Sequence, residues 1–552
     1  MLLPPLLALL SAASSLASPL SKRDPTSPTV TIKNGTLVGR YEALLQQELF
    51  LNTPYARPPI GDLRLANPLY YNISWSSPRS AKSWGNVCPG SGISSQNNAS
   101  LGQDYNLNED CLNINIIRPE GAKEGDELPV LFWIFGGGFI QGTANDPRYN
   151  GSYLVQRSVE LGEPIVRSSC SYRLTGFGFP AGQPAADAGV LNLGLKDQRL
   201  ALHWVQENIA AFGGSPGKVT IWGQSAGGMS VTQQMLAYGG RDDGLFRAAI
   251  INSGIFAAQN RSVASQEKAW QSFLNSTSCT DVSTSLSCLR ALPYETYYSA
   301  LVNSSYNPAP IPDGDFITQS AVNAIKEGKI VNKNVLISAT RDEATSGIGA
   351  PVGLQNETAF RSAVTFLSST NSTSQLNKIS ELYPDDPEVG CPFNTGDGVA
   401  SSGLMDKRIN ALITDQLHAG SRYFAQLHSS LASTWSSRFH QVPQNQSIEL
   451  GVSHANELPY IFGVLNRTIR TPLGTRKADE ETSKLYQTYI LNFVNYENPN
   501  GASDGSPNEL YWPRHDEGQE NLIFQNGKTR VEKDDYRKEG QEYLIELATG
   551  QA

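Results

Sequence analysis

The amino-acid sequence predicts an α/β fold with a largely parallel central sheet in one large domain. Short apolar segments of strand length alternate along the chain with amphipathic segments of helical period. That alternation is typical of parallel strands joined by crossover helices. No Pro/Gly-rich linker separates the strand candidates, which argues against several domains. The strand candidates are Pro129–Phe135, Val219–Trp222 and Asn334–Ala339, and the clearest helical segment is Leu195–Ala211.

The first residues have the composition of a signal peptide. Residues 1–17 are largely apolar and end in small residues, with Ser15 and Ala17 in a small-x-small cleavage pattern. The apolar run is shorter than the ~20 residues that a membrane-spanning helix needs. Lys22-Arg23 offers a dibasic trimming site, so residues 18–23 form a candidate pro-segment. We therefore expect a secreted, extracellular protein whose mature domain covers residues 24–552.

The amino-acid composition and net charge exclude several classes of protein. Of 552 residues, 39% are apolar and 17% are charged, which excludes a wholly disordered chain. There are 43 basic and 52 acidic residues, a net charge of -9, and no extended run of Lys or Arg. Nucleic acid and anionic membranes are therefore not expected partners. No second long apolar run is present in the sequence, so stable membrane insertion is not expected either.

Cysteines and sequons agree with an extracellular compartment. Two Cys pairs look like disulfides, and the other two Cys look like unpaired structural thiols. The pairs are Cys88 with Cys111 and Cys279 with Cys288, and the thiols are Cys170 and Cys391. The Asn-x-Ser/Thr sequons are candidate N-glycosylation sites at the surface. They are Asn34, Asn72, Asn98, Asn150, Asn260, Asn275, Asn303, Asn356, Asn371, Asn445 and Asn466.

The pattern Gly-x-Ser-x-Gly can mark a strained strand-to-helix turn that exposes a nucleophilic Ser, and it occurs three times. Ser215 is followed by Pro216, which has no N–H to donate to an oxyanion. Ser503 lies in a polar loop with no strand before it, and Asp504 would set a negative charge beside the oxyanion. Both matches are therefore interpreted as turns.

The third match, centred on Ser225, has the required context. It follows the strand candidate Val219–Trp222 and opens a helix-like segment. Gly223 and Gly227 leave room for a tight turn, and Ala226 can donate its N–H. Ser225 is therefore the predicted nucleophile.

The transition state of acyl transfer also needs donors aimed at the developing oxyanion. The triplet Gly136–Gly138 directly follows the strand candidate Pro129–Phe135. Bare backbone N–H groups at this triplet can approach a substrate oxygen, although a flexible turn is the alternative interpretation.

Four segments together resemble the type-B carboxylesterase/lipase family, which includes fungal lipases, carboxylesterases and cholinesterases. They run along nearly the whole mature chain, and the long central segment is highly specific. The segments are Glu109–Asn113, Phe135–Phe139, Gly194–Gly228 and Gly451–Gly463. The resemblance implies an α/β-hydrolase fold, a Ser–Glu–His triad in that chain order, and oxyanion donors at Gly137, Gly138 and Ala226. It also implies the two disulfides named above.

The base and the acid are predicted from loop position and from the same resemblance. His454 lies in a Gly/Ser-flanked loop soon after a strand candidate, at a position similar to the family's catalytic His. Asp342 and Glu343 follow the strand candidate Asn334–Ala339, where a carboxylate can hold the imidazole. The resemblance selects Glu343. One departure from the family pattern is Ala344, where Gly usually follows the Glu.

These residues predict a secreted serine carboxylic-ester hydrolase that forms an acyl-enzyme on Ser225 and requires no metal or organic cofactor. The expected substrate is a small-molecule or lipid ester, and the oligomeric state is left open. The alternative in the same class is a true lipase or sterol esterase acting on long-chain esters. A non-catalytic adhesion homologue is disfavoured by the complete triad. A cholinesterase is disfavoured because the first disulfide loop lacks a Trp for choline.

That loop also favours soluble or short-chain esters. In the related lipases it forms an amphipathic lid with a broad apolar face. Here 22 residues separate Cys88 from Cys111, and their sizeable apolar side chains follow no 3.6-residue stripe. These side chains are Ile93, Leu101, Tyr105 and Leu107, with a sequon at Asn98 between them. Little interfacial activation is therefore expected.

Overall fold

The computed structural model describes most of the chain from residue 27 onwards. The described residues are 27–91, 105–255, 261–304, 306–307, 309–345, 354, 356–368, 370–386, 388–393, 395, 404–444, 446–464, 476–502 and 510–552. The predicted signal peptide and pro-segment lie outside them, as does the middle of the first disulfide loop with Ile93 and Leu101. Four sequons (Asn98, Asn260, Asn445 and Asn466) and Ser503 also lie outside the described residues.

Two sheets contain the strands of the described residues. The strands are β1 (Thr29–Ile32), β2 (Gly35–Val38), β3 (Arg40–Glu42), β4 (Gln47–Pro54), β5 (Arg79–Ser80), β6 (Asn113–Pro119), β7 (Leu128–Ile134), β8 (Val166–Cys170), β9 (Gly214–Gln224), β10 (Ala248–Asn252), β11 (Asn334–Thr340), β12 (Thr434–Phe439), β13 (Glu520–Phe524) and β14 (Arg530–Lys533). A small sheet has the order β1-β2-β5, and a large one has the order β14-β13-β12-β11-β10-β9-β7-β8-β6-β4-β3.

The large sheet is mixed, with a parallel centre. All neighbouring pairs from β8 through β7, β9, β10, β11 and β12 to β13 are parallel. Antiparallel pairs occur only towards the two edges of this sheet. The predicted α/β class with a largely parallel sheet is therefore confirmed.

Helices cover the sheet and form the connections between its parallel strands. The helices of the described residues are α1 (Ser152–Glu160), α2 (Thr175–Gly178), α3 (Gln183–Asp187), α4 (Leu193–Asn208), α5 (Ala226–Gly240), α6 (Val263–Thr277), α7 (Ser285–Ala291), α8 (Tyr294–Val302), α9 (Ala321–Lys326), α10 (Glu357–Ser368), α11 (Thr373–Leu382), α12 (Leu404–His428), α13 (Leu458–Ile461), α14 (Lys477–Tyr496), α15 (His515–Gly518) and α16 (Lys538–Thr549). None that the structure describes combines the length and apolar character needed to cross a membrane.

The three strand candidates became β7, β9 and β11, each buried along most of its length. Strand β9 begins earlier than predicted, at Gly214, and therefore includes Ser215, which the sequence placed in a turn. Gly214 pairs with Leu128 across a register irregularity, and the Ser215 hydroxyl donates to Glu127 at 2.5 Å. The irregularity explains the error, because a Gly- and Pro-containing segment can continue a strand at a bulge.

The centre of the sheet is filled by aromatic side chains. Trp133 of β7 and Trp222 of β9 lie with ring centroids 4.6 Å apart, and Phe462 stacks on Trp222 at 4.8 Å. All three side chains are fully buried. This cluster packs behind the ends of the two strands that precede the candidate oxyanion segment and the candidate nucleophile, and it holds those ends in fixed relative positions.

The cysteines have the predicted states. Disulfides join Cys88 to Cys111 and Cys279 to Cys288, whereas Cys170 and Cys391 are buried free thiols. Beside the first disulfide, Glu109 of the family-like segment accepts two hydrogen bonds from Arg64 at 2.6 and 2.7 Å. Both side chains are less than a tenth exposed. A bidentate, buried pair of this kind fixes the base of the disulfide loop.

Candidate active site

The predicted site residues all follow strands of the parallel centre. The Gly triplet follows β7, Ser225 follows β9, and Glu343 follows β11. His454 lies in the connection after β12. Because these strands are neighbours or next neighbours and run in one direction, their carboxyl ends meet at one edge of the sheet. That edge is where parallel α/β sheets bind ligands.

Ser225 occupies a sharp turn between β9 and α5. Its backbone has φ 58° and ψ -127°, a conformation outside the regions that non-glycine residues ordinarily adopt. A Cβ added to Gly223 would lie 2.2 Å from the Gly227 carbonyl oxygen, and one added to Gly227 would lie 2.1 Å from that of Ile134. Only glycine therefore fits at both positions. The turn leaves Ser225 partly exposed, whereas its neighbours Gln224 and Ala226 are buried.

His454 and Glu343 are joined by a direct hydrogen bond. The imidazole Nδ1 lies 2.5 Å from the Glu343 carboxylate oxygen Oε2. The carboxylate can only accept, so the proton is on Nδ1 and Nε2 is left as the basic nitrogen. Burial alone would raise the pKa of Glu343, but the charge and hydrogen bond of His454 lower it overall. Burial likewise acts to lower the pKa of His454, and Glu343 raises it overall.

Two further donors fix the Glu343 carboxylate, which is completely buried. Its other oxygen, Oε1, accepts the Ser253 hydroxyl at 2.6 Å and the Thr340 backbone N–H at 2.8 Å. Ser253 immediately follows β10, the strand between β9 and β11. These hydrogen bonds hold the carboxylate in a single orientation towards the imidazole. Because all of them are donated to the carboxylate, they also favour its ionised form.

Asp342 holds the loop of His454 rather than its ring. Its Oδ2 accepts the Val452 N–H at 2.8 Å, and its own N–H donates to the Val452 carbonyl at 3.0 Å. Its Oδ1 accepts the Phe393 N–H at 3.2 Å. The side chain is buried and makes no hydrogen bond with the His454 ring within the described structure. Of the two carboxylates that the sequence offered, Glu343 is the one in contact with the ring of His454.

Ala344, the departure from the family pattern, is accommodated without strain. It lies in a short 3-10 helix, Glu343–Thr345, and is not among the residues with positive φ. Its N–H donates to the Thr414 hydroxyl at 3.1 Å. The turn therefore needs no glycine at this position.

The basic nitrogen of His454 is occupied by an amide. The Gln224 side-chain nitrogen lies 3.2 Å from His454 Nε2, and because Nε2 carries no proton, the amide is the donor. Among the described residues no hydrogen bond joins the Ser225 hydroxyl to His454. In this conformation the Gln224 amide donates to the lone pair of Nε2 that would accept the Ser225 proton. For catalysis, a hydrogen bond from Ser225 would have to replace the one from Gln224. Catalytic hydrogen bonds are commonly loose without substrate.

The candidate oxyanion donors lie beside Ser225, the candidate nucleophile. A Cβ added to Gly136 would be 2.9 Å from the Ser225 Cβ, so the Gly triplet passes directly beside the serine. Gly137 and Gly138 have φ of 115° and 65°, which favours glycine. Within the described structure, the N–H groups of Gly137, Gly138 and Ala226 donate to no acceptor. Three unpaired donors beside a partly exposed serine are suited to an anionic oxygen.

A family model described as the carboxylesterase family matches residues 26–543. The chain belongs to the carboxylesterase family. It is a carboxylic-ester hydrolase, and the predicted family resemblance is confirmed.

Curated and solved relatives of this carboxylesterase cover nearly its full length. Secreted lipase 1 of Botryotinia fuckeliana is 33% identical, with 98% of each chain covered. Secreted triacylglycerol lipase LIP1 of Gibberella zeae is 31% identical over 96% of this chain and 92% of its own. The crystal structure of Aspergillus niger EstA superimposes with a TM-score of 0.82 at 26% identity, covering 95% and 99% of the chains. The α/β-hydrolase fold is thereby confirmed.

One buried acid beside the site was missed in the sequence. Glu457 is 1% exposed, and neither of its carboxylate oxygens has a hydrogen-bond partner among the described residues. Burial and the charge of Glu343 raise the pKa of Glu457 to about 8. It is therefore a neutral acid at pH 7, three residues beyond His454. The sequence feature that could have identified it is an acidic residue at the start of an otherwise apolar segment, ELPYIF.

Among the described residues, none of the other five histidines makes a hydrogen bond to the Glu343 carboxylate or the His454 ring. His418 of α12 contacts the site indirectly, because its Nε2 lies 2.8 Å from the carbonyl oxygen of Thr340, whose N–H binds Glu343. Burial lowers the pKa of His418, His428 and His440. His203 packs against Tyr70, and His515 lies within 3.5 Å of Asp534. Among the described residues there is no cluster of three or more His, Cys, Asp or Glu that could hold a metal ion. Ser253 and Gln224, which contact the acid and the base, were also missed in the sequence.

Proposed function

We propose that this carboxylesterase uses Ser225, Glu343 and His454 as a Ser–Glu–His triad, with Gly137, Gly138 and Ala226 as oxyanion donors. The observation that carries the proposal is the 2.5 Å contact between His454 Nδ1 and a fully buried carboxylate, at the same sheet edge as a strained, accessible serine. Such an arrangement provides a neutral base with a fixed tautomer, which a serine nucleophile requires.

The reaction follows from these roles. The Ser225 oxygen attacks the ester carbonyl carbon while His454 Nε2 takes the hydroxyl proton. The negative oxygen of the tetrahedral intermediate is bound by the three backbone N–H groups. The imidazolium then gives its proton to the departing alkoxide, which leaves as the alcohol. A water attacks the acyl-enzyme with His454 as base again, and the carboxylic acid and free serine are regenerated.

A serine-to-alanine pair tests the nucleophile. Ser225→Ala should lower kcat for p-nitrophenyl butyrate by several orders of magnitude while the protein remains folded. Ser215→Ala is the matched control, because Ser215 has the same sequence pattern but lies at the start of β9, the strand at whose end Ser225 follows. An organophosphate should modify the peptide containing Ser225. Loss of activity in the Ser215 variant, or an adduct on another peptide, contradicts the proposal.

For the substrate, we propose a soluble or short-chain carboxylic ester. Of the sizeable apolar residues in the first disulfide loop, Tyr105 and Leu107 pack inward against Val87, and Tyr105 is 7% exposed. Side chains that are buried against the body cannot form the outer face of a lid. The second candidate is a true lipase on long-chain esters, which the names of the fungal relatives favour.

The two candidates differ at the solubility limit of the substrate. The rate with tributyrin should rise smoothly through that limit if the enzyme acts on dissolved ester, and a jump at emulsion onset would support the lipase. A second test compares kcat/KM across a panel of p-nitrophenyl esters from acetate to palmitate. The proposed esterase should have its highest kcat/KM on the short acyl chains.

We also propose that the protein is secreted, with residues 1–17 as signal peptide, residues 18–23 as pro-segment and residues 24–552 as one catalytic domain. Secreted fungal relatives of nearly the same length support this location. None of the seven described sequon asparagines is buried, and five of them are exposed. N-glycans on them are part of the proposal. N-terminal sequencing and glycopeptide mass spectrometry of the protein from culture medium test all three statements.

A further inference from the structure

A groove of about 610 Å³ lies between the β3–β4 hairpin and the start of α1. Its volume is within the ~300–1,000 Å³ of pockets that bury small molecules. Trp84 and Tyr153, both partly buried, provide aromatic surface, and Leu44 and Leu45 provide aliphatic surface at the hairpin tip. Leu44 is 91% exposed. Together with Leu45 and the two rings, it makes one side of the groove apolar.

Polar groups are interspersed with this apolar surface. Arg40 and Glu42 of the hairpin and Gln156 of α1 also line the groove. Aromatic rings combined with charged and amide side chains match the two surfaces of a sugar ring. The axial C–H face of the ring packs on an aromatic plane, and its hydroxyl and acetamide groups take hydrogen bonds. Carbohydrate is therefore the ligand chemistry that the groove fits.

A sequon forms part of the wall of this groove. Asn150 lines it, and the Asn150 side-chain oxygen accepts the Ser152 N–H at 3.1 Å in an Asx turn. The Asn150 side-chain nitrogen, to which an N-glycan would be joined, makes no hydrogen bond to any described residue. Asn34 differs, since its side-chain nitrogen donates to the Tyr71 carbonyl at 2.8 Å and to that of Ile73 at 3.2 Å. The structure is thus ready for a glycan at Asn150.

We propose that an N-glycan on Asn150 is a packed part of the folded protein, with its first two sugar rings lying in the groove against Trp84 and Tyr153. This inference rests on the proposed secretion, because a chain receives an N-glycan when it enters the secretory pathway. A covalently attached ligand needs no free concentration to fill the groove, since its effective concentration there is high. It would cover Leu44 and tie the hairpin to the segment that leads from the Gly triplet into α1.

The direct test is protection from an endoglycosidase. The secreted protein is treated under native conditions with an enzyme that cuts between the first two N-acetylglucosamines, and each site is followed by glycopeptide mass spectrometry. Release at Asn150 should be at least ~10-fold slower than at Asn72, an exposed sequon whose side chain makes no hydrogen bond to described residues. After denaturation the two rates should be equal. Equal rates in the native protein overturn the inference.

Variants separate packing from other causes of slow release. Leu44→Ser should increase release at Asn150 by at least ~3-fold and leave Asn72 unchanged, because this rim residue is exposed and its replacement does not disturb the core. Ser152→Ala removes the sequon but keeps the Asn150 side chain in place, and Ser74→Ala does the same for Asn72. The Ser152 variant should lose at least half of its half-life at an inactivating temperature, and the Ser74 variant should not.

The outcomes distinguish this inference from the proposals on which it rests. An unmodified Asn150 in a protein that carries a glycan on Asn72 overturns the inference alone. A secreted protein with no glycan at any sequon overturns the proposed glycosylation together with it, and a protein that is retained inside the cell overturns the proposed secretion. Neither readout depends on ester hydrolysis, so both leave the assignment of Ser225 untouched.

Discussion

Replacing Glu343 by Gln removes one charge from the site while keeping the size of the side chain. The Thr340 N–H is a backbone donor that cannot turn away, and it donates to Glu343 Oε1 at 2.8 Å. In Glu343→Gln the amide oxygen must therefore stay at that position, since an amide nitrogen there would oppose a second donor. The amide NH2 is then directed at His454 Nδ1 and forces its proton onto Nε2.

The size of the effect follows from that tautomer. An imidazole with its proton on Nε2 cannot accept the proton of Ser225, and a buried amide gives an imidazolium no charge stabilisation. Loss of the correct tautomer in a serine hydrolase triad costs about 10⁴-fold in kcat. At ~1.4 kcal/mol per decade this is about 5.5 kcal/mol of transition-state stabilisation. KM should change little, because Glu343 is completely buried and therefore offers no surface to an ester.

The assay is kcat and KM for p-nitrophenyl butyrate, with circular dichroism to confirm folding, and Asp342→Asn is the matched control. That variant weakens the hydrogen bond to Val452 and the ion pair with Arg341, so it should cost ~1–3 kcal/mol of unfolding free energy. Its kcat should fall far less than that of Glu343→Gln. A loss below ~10-fold in Glu343→Gln, or an equal loss in Asp342→Asn, would refute the assignment of the acid.

The remaining predictions concern proton equilibria around His454. The acid limb of kcat/KM should have unit slope and a midpoint above 6.5, because the net effect of burial and the neighbouring carboxylate raises the pKa of His454; a midpoint at or below 6.5 contradicts this. Gln224→Met removes a donor to the neutral imidazole and should move that midpoint up by ~0.4–1 pH unit, whereas a downward shift would mean that Gln224 accepts from Nε2. The pKa of Glu457 is raised to about 8, so this side chain is protonated in the folded protein at neutral pH, whereas in the unfolded chain it ionises near 4.5. Its contribution to the free energy of unfolding therefore falls as pH rises between these two values. Glu457→Gln should therefore gain unfolding free energy relative to the parent protein at pH 9 but not at pH 4, as chemical denaturation would measure.

Local patterns in the sequence were sufficient to predict the sharp turn at Ser225 and the strand before it. The turn at Ser225 is specified within five residues, because Gly223 and Gly227 must be glycine for the strand and helix to meet. The strand candidates were equally clear, since buried parallel strands are short apolar runs. The start of β9 was missed because its first residues, Gly214 to Pro216, have turn-forming composition. Their strand conformation depends on pairing with β7, which no local pattern reports.

The contacts of the base were harder to predict, because they join segments far apart in the chain. Gln224 precedes the nucleophile, yet its contact with His454 spans 230 residues. Ser253 reaches Glu343 across 90 residues, because β10 lies between β9 and β11. If the strand order could be predicted from the sequence, Ser253 would be placed at the same edge of the sheet as Ser225 and Glu343. Without the order, a serine after a strand has no distinguishing feature.

Asp342 and Glu343 together fix the position of a histidine that lies on a loop. His454 follows the end of β12 by 15 residues, so the strand itself does not position it. Asp342 binds the backbone of that loop at Val452 in both directions, and Glu343 binds the ring. Both carboxylates come from consecutive residues at the end of a buried strand, so a displacement of the loop breaks two sets of contacts together. The acidic pair therefore acts as one unit: both residues bind the backbone of the loop, since the Glu343 carbonyl also accepts the His454 N–H at 3.3 Å, and the Glu343 side chain sets the tautomer of the imidazole.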